Sequence, residues 1–179
     1  MPGMLQTDTL RGGNLMDSDK AYERLINLLD SSHVEYKLFE HREALTWEDL
    51  AAVQQETGFV GTEMKCMVMK AGDKFIVYIT LQGKRIDFDA IKEMLGVSKI
   101  RLSTPEELEE HFGAKPGCAY PFGFDKQYDI YVDPAIYEQG WMLFSPVVPT
   151  KTVQAKGADL HRVFDSLENS VMTVTTFNQ

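Results

Sequence analysis

The chain reads as an α/β domain of the α+β kind, a mixed, largely antiparallel β-sheet with flanking helices. Three observations predict it. Five segments carry apolar residues at helical spacing between recognisable caps, and seven short segments read as strands. The two kinds interleave irregularly, without the steady alternation of a doubly wound parallel sheet. The stretch KAGDK, around Gly72 and Asp73, joins two strands with a hairpin signal.

Taken in order, SDKAYERLINLLD opens with Ser18 as N-cap and places apolar residues at 22, 25, 26 and 29 on one helical face. TWEDLAAVQQETG begins with Thr46 and Asp49 in a capping-box arrangement and stops at Gly58. DFDAIKEMLG carries Phe88, Ile91 and Leu95 and ends at Gly96. STPEELEEHFG has Thr104 as cap, Pro105 at the first helical position, Glu107 closing the box and Gly113 as terminator. GADLHRVFDSLEN aligns Leu160, Val163, Phe164 and Leu167. Strands are expected near 35–40, 65–70, 75–81, 99–102, 128–132, 141–144 and 151–154. A loose leader is expected over 1–17, a single domain over 18–170, and a C-terminal tail or an edge strand over 171–179.

Within the strand opened by GTEMKCMVMK, Lys65 shares a parity with Met67 and Met69, while Met64, Cys66 and Val68 share the other. Either Lys65 lies on a wet sheet surface or its ammonium is aimed into an apolar pocket. Cys66 is expected in the core.

The composition bounds the function. At 179 residues and 44% hydrophobic, the chain can bury one sizeable core. No apolar run approaches the ~20 residues of a membrane span, and the N-terminus lacks the apolar core of a secretory signal. Two cysteines without such a signal suggest a cytoplasmic protein with free thiols. A net charge of −9 speaks against general nucleic-acid coating. Yet residues 65–101 carry a local excess of four positive charges, compatible with one docked polyanion or with ordinary surface charge.

No GxGxxG, GxxxxGK[ST], GxSxG or HExxH motif is present. No cofactor and no metal site is expected. Asp125, Asp129 and Asp133 are spaced like a helical cluster, but YDIYVDP alternates like a strand. Two stretches look more like parts of a site. KPGCAYPFGF (115–124) combines a constrained backbone with aromatic walls, and FSPVVPTK (144–151) is a second rigid turn. Each also reads as a structural connector.

Together with the lysine strand, these segments occur in a characteristic order: FEH, MKCMVMKAGDKFIVYIT, GKRIDFDAIKEMLG, RLSTPEELEEHFGAKPG, CAYPFGF, YVDPAIYEQGWMLFSP and KTV. Over about residues 20–168 the chain resembles the YbaK/prolyl-tRNA synthetase-associated editing domain family. The resemblance implies a freestanding aminoacyl-tRNA deacylase that hydrolyses mischarged tRNA, most often Ala or Cys on tRNA-Pro. Implied partners are the acceptor end of the tRNA and an aminoacyl-tRNA synthetase. It implies that Lys65 is needed for deacylation and holds the terminal adenosine. It also implies a substrate loop over Gly117, Cys118, Tyr120, Pro121 and Gly123, with backbone groups at Gly117 and Tyr120 holding substrate or water. His41, Ser145, Pro146 and Thr150 are candidates for the same pocket. The family usually has His-Pro where this chain has Ser145-Pro146, and Asn-Thr-x-Thr where it has Pro149, Thr150, Lys151 and Thr152. That departure leaves open a changed specificity or a module that binds tRNA or a synthetase without turnover. A hydrolase of another small ester is the third reading.

Overall fold

The computed structural model describes residues 17–179; the expected leader lies almost wholly outside them. The helices are α1 (Ser18–Ser31), α2 (Trp47–Thr57), α3 (Phe88–Leu95), α4 (Pro105–Phe112) and α5 (Leu160–Ser166). The strands are β1 (Tyr36–Glu40), β2 (Thr62–Ala71), β3 (Lys74–Leu81), β4 (Ile100–Leu102), β5 (Asp129–Val132), β6 (Trp141–Phe144), β7 (Lys151–Lys156) and β8 (Val171–Thr173).

Local chemistry sets the helix boundaries. Thr46 and Asp49 form a reciprocal capping box on α2, as do Thr104 and Glu107 on α4. Helices α2, α3 and α4 stop at Gly58, Gly96 and Gly113, all in the left-handed conformation. The first cap is one residue earlier than expected. Asp17, not Ser18, accepts from a backbone amide at the start of α1, where a carboxylate also suits the positive end of the helix.

The strands form one mixed sheet in the order β1-β7-β6-β2-β3-β5-β8, with β4 also paired to β2. Ladders β1–β7, β6–β7, β2–β3 and β2–β4 are antiparallel; β2–β6, β3–β5 and β5–β8 are parallel. Alternation along β2 and β3 divides the core. Met64, Val68, Val77 and Ile79 pack beneath α1, α4 and α5, where Leu25, Phe112 and Phe164 are buried. Met69, Ile76 and Tyr78 face the opposite side, against Ile91 of α3 and Phe177.

Residues 171–179 are therefore not a free tail. β8 extends the sheet, and Phe177 is fully buried between Tyr78 and Tyr131. Asn178 donates 2.7 Å to Asp133 and accepts 2.7 Å from the Tyr78 hydroxyl. Asp133 also accepts from Thr80 and Lys84 and caps the short helical turn after β5. Burial opposes ionisation of this carboxyl, but its hydrogen bonds prevail and hold it below the usual carboxylate range. Its place in the sequence pattern is thus structural.

Candidate active site

The site lies where the sheet splits. β2 pairs with β6 only at Thr62 and Glu63, and with β4 only from Met69 to Ala71, so the intervening edge has no strand partner. A cavity of about 170 Å³ lies beside this opening. Glu63, Met64 and Cys66 of β2 form one wall. Phe144, Ser145, Val148 and Pro149 form a second, where β6 ends and the chain turns back. His41 and the segment from Ala44 to Trp47, with Leu50, form a third, and Lys151 and Thr152 of β7 complete it. Gly117 and Ala119 close the remaining side.

Two backbone features shape these walls. Gly117 has φ of 91°, and a Cβ there would run into the Leu45 carbonyl oxygen, so only glycine lets the loop approach α2's leading segment this closely. In the second turn Val147 is buried with φ of 76°. A β-branched residue seldom adopts that conformation, and here it reverses the chain between Ser145 and Val148.

The polar lining is unusual in what it lacks. Among the described residues, Glu63 Oε1 and Ser145 Oγ are buried without a hydrogen-bond partner. Burial raises the Glu63 carboxyl from its ordinary 4.5 to about 7, with no paired cation to oppose the shift. His41 is better satisfied. Its Nδ1 lies 2.6 Å from the Arg42 carbonyl and must donate to it, which leaves Nε2 of the neutral ring to accept from Thr152 Oγ at 2.8 Å. Lys151 is engaged away from the cavity, 3.3 Å from the Tyr22 hydroxyl and 3.9 Å from Glu40.

The fold brings together Gly117, Ser145 and His41 of the expected site. The other expected residues do not line the cavity. Cys118 and Pro121 are buried beneath the loop. Burial pushes the Cys118 thiol up to about 11, against its use as a nucleophile. Tyr120 is buried and donates 2.6 Å to the Phe112 carbonyl, pinning the loop to α4. Gly123 (φ 105°) packs its backbone on Leu25 of α1. Pro146 is buried, and Thr150 faces solvent, contributing only its carbonyl to the His41 amide. Cys66, expected in the core, packs against it and also reaches the cavity.

Lys65 also lies outside the cavity lining, although Glu63, Met64 and Cys66 of the same strand belong to it; its Nζ donates 3.1 Å to the Lys84 carbonyl. The basic segment is also partly neutralised. Arg101 makes a two-pronged pair with Glu107, which lies 4.0 Å from Lys70, and Lys92 pairs with Asp89.

The sequence does not single out Glu63, and Thr152 enters only as the last residue of the stretch set against Asn-Thr-x-Thr, from which Thr150 is the pocket candidate. The available signal for Glu63 is that it is the one acidic residue of a strand whose other charges are the lysines Lys65 and Lys70. Pairing within β7 places Thr152 on the wall, whereas Thr150 precedes the strand, and no local spacing marks the α2 segment. Among the described residues no group of three or more His, Cys, Asp or Glu side chains is placed to hold a metal ion, and no described helix is long and apolar enough to cross a membrane.

Relatives share this framework. The chain is 26% identical over 98 residues to the proline–tRNA ligase of Bacillus velezensis, covering 52% of this chain and 17% of the ligase. It spans only 15–22% of the length of the proline–tRNA ligases it matches. It is 22% identical over 147 residues to the multifunctional Ser/Thr-tRNA deacylase ProXp-y of Escherichia coli, covering 79% of this chain and 87% of that protein. A crystal structure described as a candidate trans-editing enzyme for prolyl tRNA synthetase superposes with a TM-score of 0.65 at 20% identity, covering 86% and 95% of the two chains. The hypothetical protein APE2540 superposes with a TM-score of 0.68 at 14% identity, covering 84% and 98%. The aminoacyl-tRNA editing domain family matches residues 41–163, from His41 through the glycine loop and the Ser145 turn into α5. The chain belongs to the aminoacyl-tRNA editing domain family.

Proposed function

We propose that this protein hydrolyses the ester of mischarged aminoacyl-tRNA in trans, accepting a small amino acid. The observation that carries this reading is the cavity at the split in the sheet. At about 170 Å³ it falls below the roughly 300–1,000 Å³ of drug-sized pockets, suiting a small aminoacyl group with its nucleotide outside. The oxygen of water bonds to the ester carbonyl carbon, the bond to the ribose oxygen breaks, and that oxygen takes a proton. Such an ester is already activated, so positioning a water and stabilising the developing oxyanion can suffice without a protein nucleophile.

Two substrate classes have support. The family resemblance implies Ala or Cys on tRNA-Pro as the substrate, and the relatives that are proline–tRNA ligases fit a tRNA-Pro acceptor. The buried Ser145 hydroxyl, with only the weak acceptor Cys118 thiol beside it, and the Escherichia coli relative favour a hydroxylated side chain, Ser or Thr. Lys65 belongs to this proposal through the family resemblance. Lys65 lies two residues after Glu63 and on the same face of β2, so its ammonium would have to release the Lys84 carbonyl to serve the cavity.

Turnover of labelled Ala-, Cys-, Ser- and Thr-tRNA, with Pro-tRNA as the cognate control, tests the reading. Hydrolysis of at least one panel member with Pro-tRNA spared is the expected result. Binding of uncharged tRNA with no turnover would instead identify a non-catalytic module, for which the Ser145 departure is the motive. A substrate docked through phosphates would also show a steep loss of affinity as salt rises.

A further inference from the structure

We infer that Glu63 receives the α-ammonium group of the aminoacyl ester, so that the cavity selects esters with a free amine over those whose amine is acylated. The inference rests on the deacylase reading and names the chemical feature the site recognises. Glu63 and Lys151 are the carboxyl and ammonium side chains of the cavity lining. Lys151 is occupied by Tyr22 and Glu40, whereas Glu63 Oε1 is buried with no partner among the described residues.

A carboxyl desolvated in this way is costly to ionise alone, and a cation brought into the same cavity removes that cost. Every aminoacyl ester supplies one. Its amine sits on the carbon next to the ester carbonyl, and a free α-amino group titrates at about 7.7–8, so it is largely protonated near neutrality. Bound ammonium would donate to the vacant carboxylate lone pairs in a charge-assisted hydrogen bond. The raised ionisation range of Glu63 fits a group whose partner arrives with the substrate. An N-acylated amine offers neither the charge nor the donors and adds bulk to a small cavity.

The test compares Ala- and Ser-tRNA with their N-acetyl forms, for wild type and Glu63→Gln. Wild type is expected to prefer the free amine by about tenfold or more in kcat/KM, the scale of a hydrogen bond to a charged group. Glu63→Gln is expected to lose most of that preference through the free-amine substrates alone. An equal loss on both forms would overturn the inference in favour of a role on the attacking water, and an unchanged preference would remove Glu63 altogether. NMR titration of wild type with L-alaninamide and L-serinamide, against their N-acetyl forms, needs neither turnover nor a variant. Selective binding of the free amines by a protein that hydrolyses no tRNA would keep the anchor and reject the deacylase reading. No binding of either form would overturn the anchor whatever the turnover.

Discussion

His41 Nε2 and Thr152 Oγ stand 2.8 Å apart, joining the end of β1 to β7 at the cavity wall. The Thr152 hydroxyl is buried, and the Arg42 carbonyl holds the other ring nitrogen, so the imidazole has one orientation. Thr152→Val keeps the shape and removes the donor. A net hydrogen bond of about 0.5–1.5 kcal/mol predicts a two- to tenfold fall in kcat/KM for deacylation, from loss of ring orientation. Steady-state kinetics beside a thermal melt separate this from a general loss of fold.

Lys65→Ala should lower deacylation about a hundredfold or more, the scale of one oriented charge or donor at the reacting ester. The thermal midpoint should barely move, because the side chain gives only one partly exposed hydrogen bond to the Lys84 carbonyl. Undiminished turnover would show that the ammonium stays on Lys84 and takes no part.

Gly117→Ala should destabilise the fold by about 1–3 kcal/mol and reduce activity. The added methyl meets the Leu45 carbonyl, and the residue must keep φ of 91°. Gly58→Ala is the matched control. It retains the positive φ but meets nothing nearby, so its cost should be smaller in the same denaturant titration.

Phe177→Ala should cost about 3–5 kcal/mol, the usual range for emptying a buried aromatic site. A chemical denaturation curve reads it directly. A change below 1 kcal/mol would mean that residues 171–179 detach from the sheet in solution.

Glu63 makes stability depend on pH in a direction opposite to a paired carboxylate. Its folded ionisation lies near 7 against an ordinary 4.5. Between these values the folded protein keeps a proton that the unfolded chain has released, so the group's contribution falls as pH rises, and it levels off above 7. The other titratable groups lining the cavity are His41, Cys66 and Lys151. Glu63→Gln should therefore match wild type in thermal midpoint near pH 4.5 and exceed it by several degrees at pH 8. An equal difference at both pH values would show that Glu63 is ionised throughout.

Local order was legible in the sequence to a large extent. Thr46 with Asp49 and Thr104 with Glu107 mark helix starts because their capping bonds span three residues, and Gly58, Gly96 and Gly113 mark ends because only the left-handed backbone is needed there. The Gly72 hairpin and the alternation along β2 and β3 likewise follow from neighbours in the chain. The short edge strand β8 was ambiguous because three residues carry too little alternation to distinguish pairing from a tail.

By itself, then, the amino-acid sequence determined the helices α1 to α5, the caps of α2 and α4, the strands β1 to β7, the mixed sheet and the order of segments that marks an editing domain, all carried by interactions a few residues apart or by pattern. Tertiary structure alone decided which side chains meet. The divergence of β6 from β2 opened the cavity, the Val147 turn and the close approach of Gly117 to Leu45 closed it, and Glu63, Ser145 and His41 arrived from three separate elements. The same register turned Lys65 toward Lys84 and buried Tyr120 under α4. Those outcomes depend on contacts between residues far apart in the chain, whose geometry exists only once the sheet has paired and the core has excluded water.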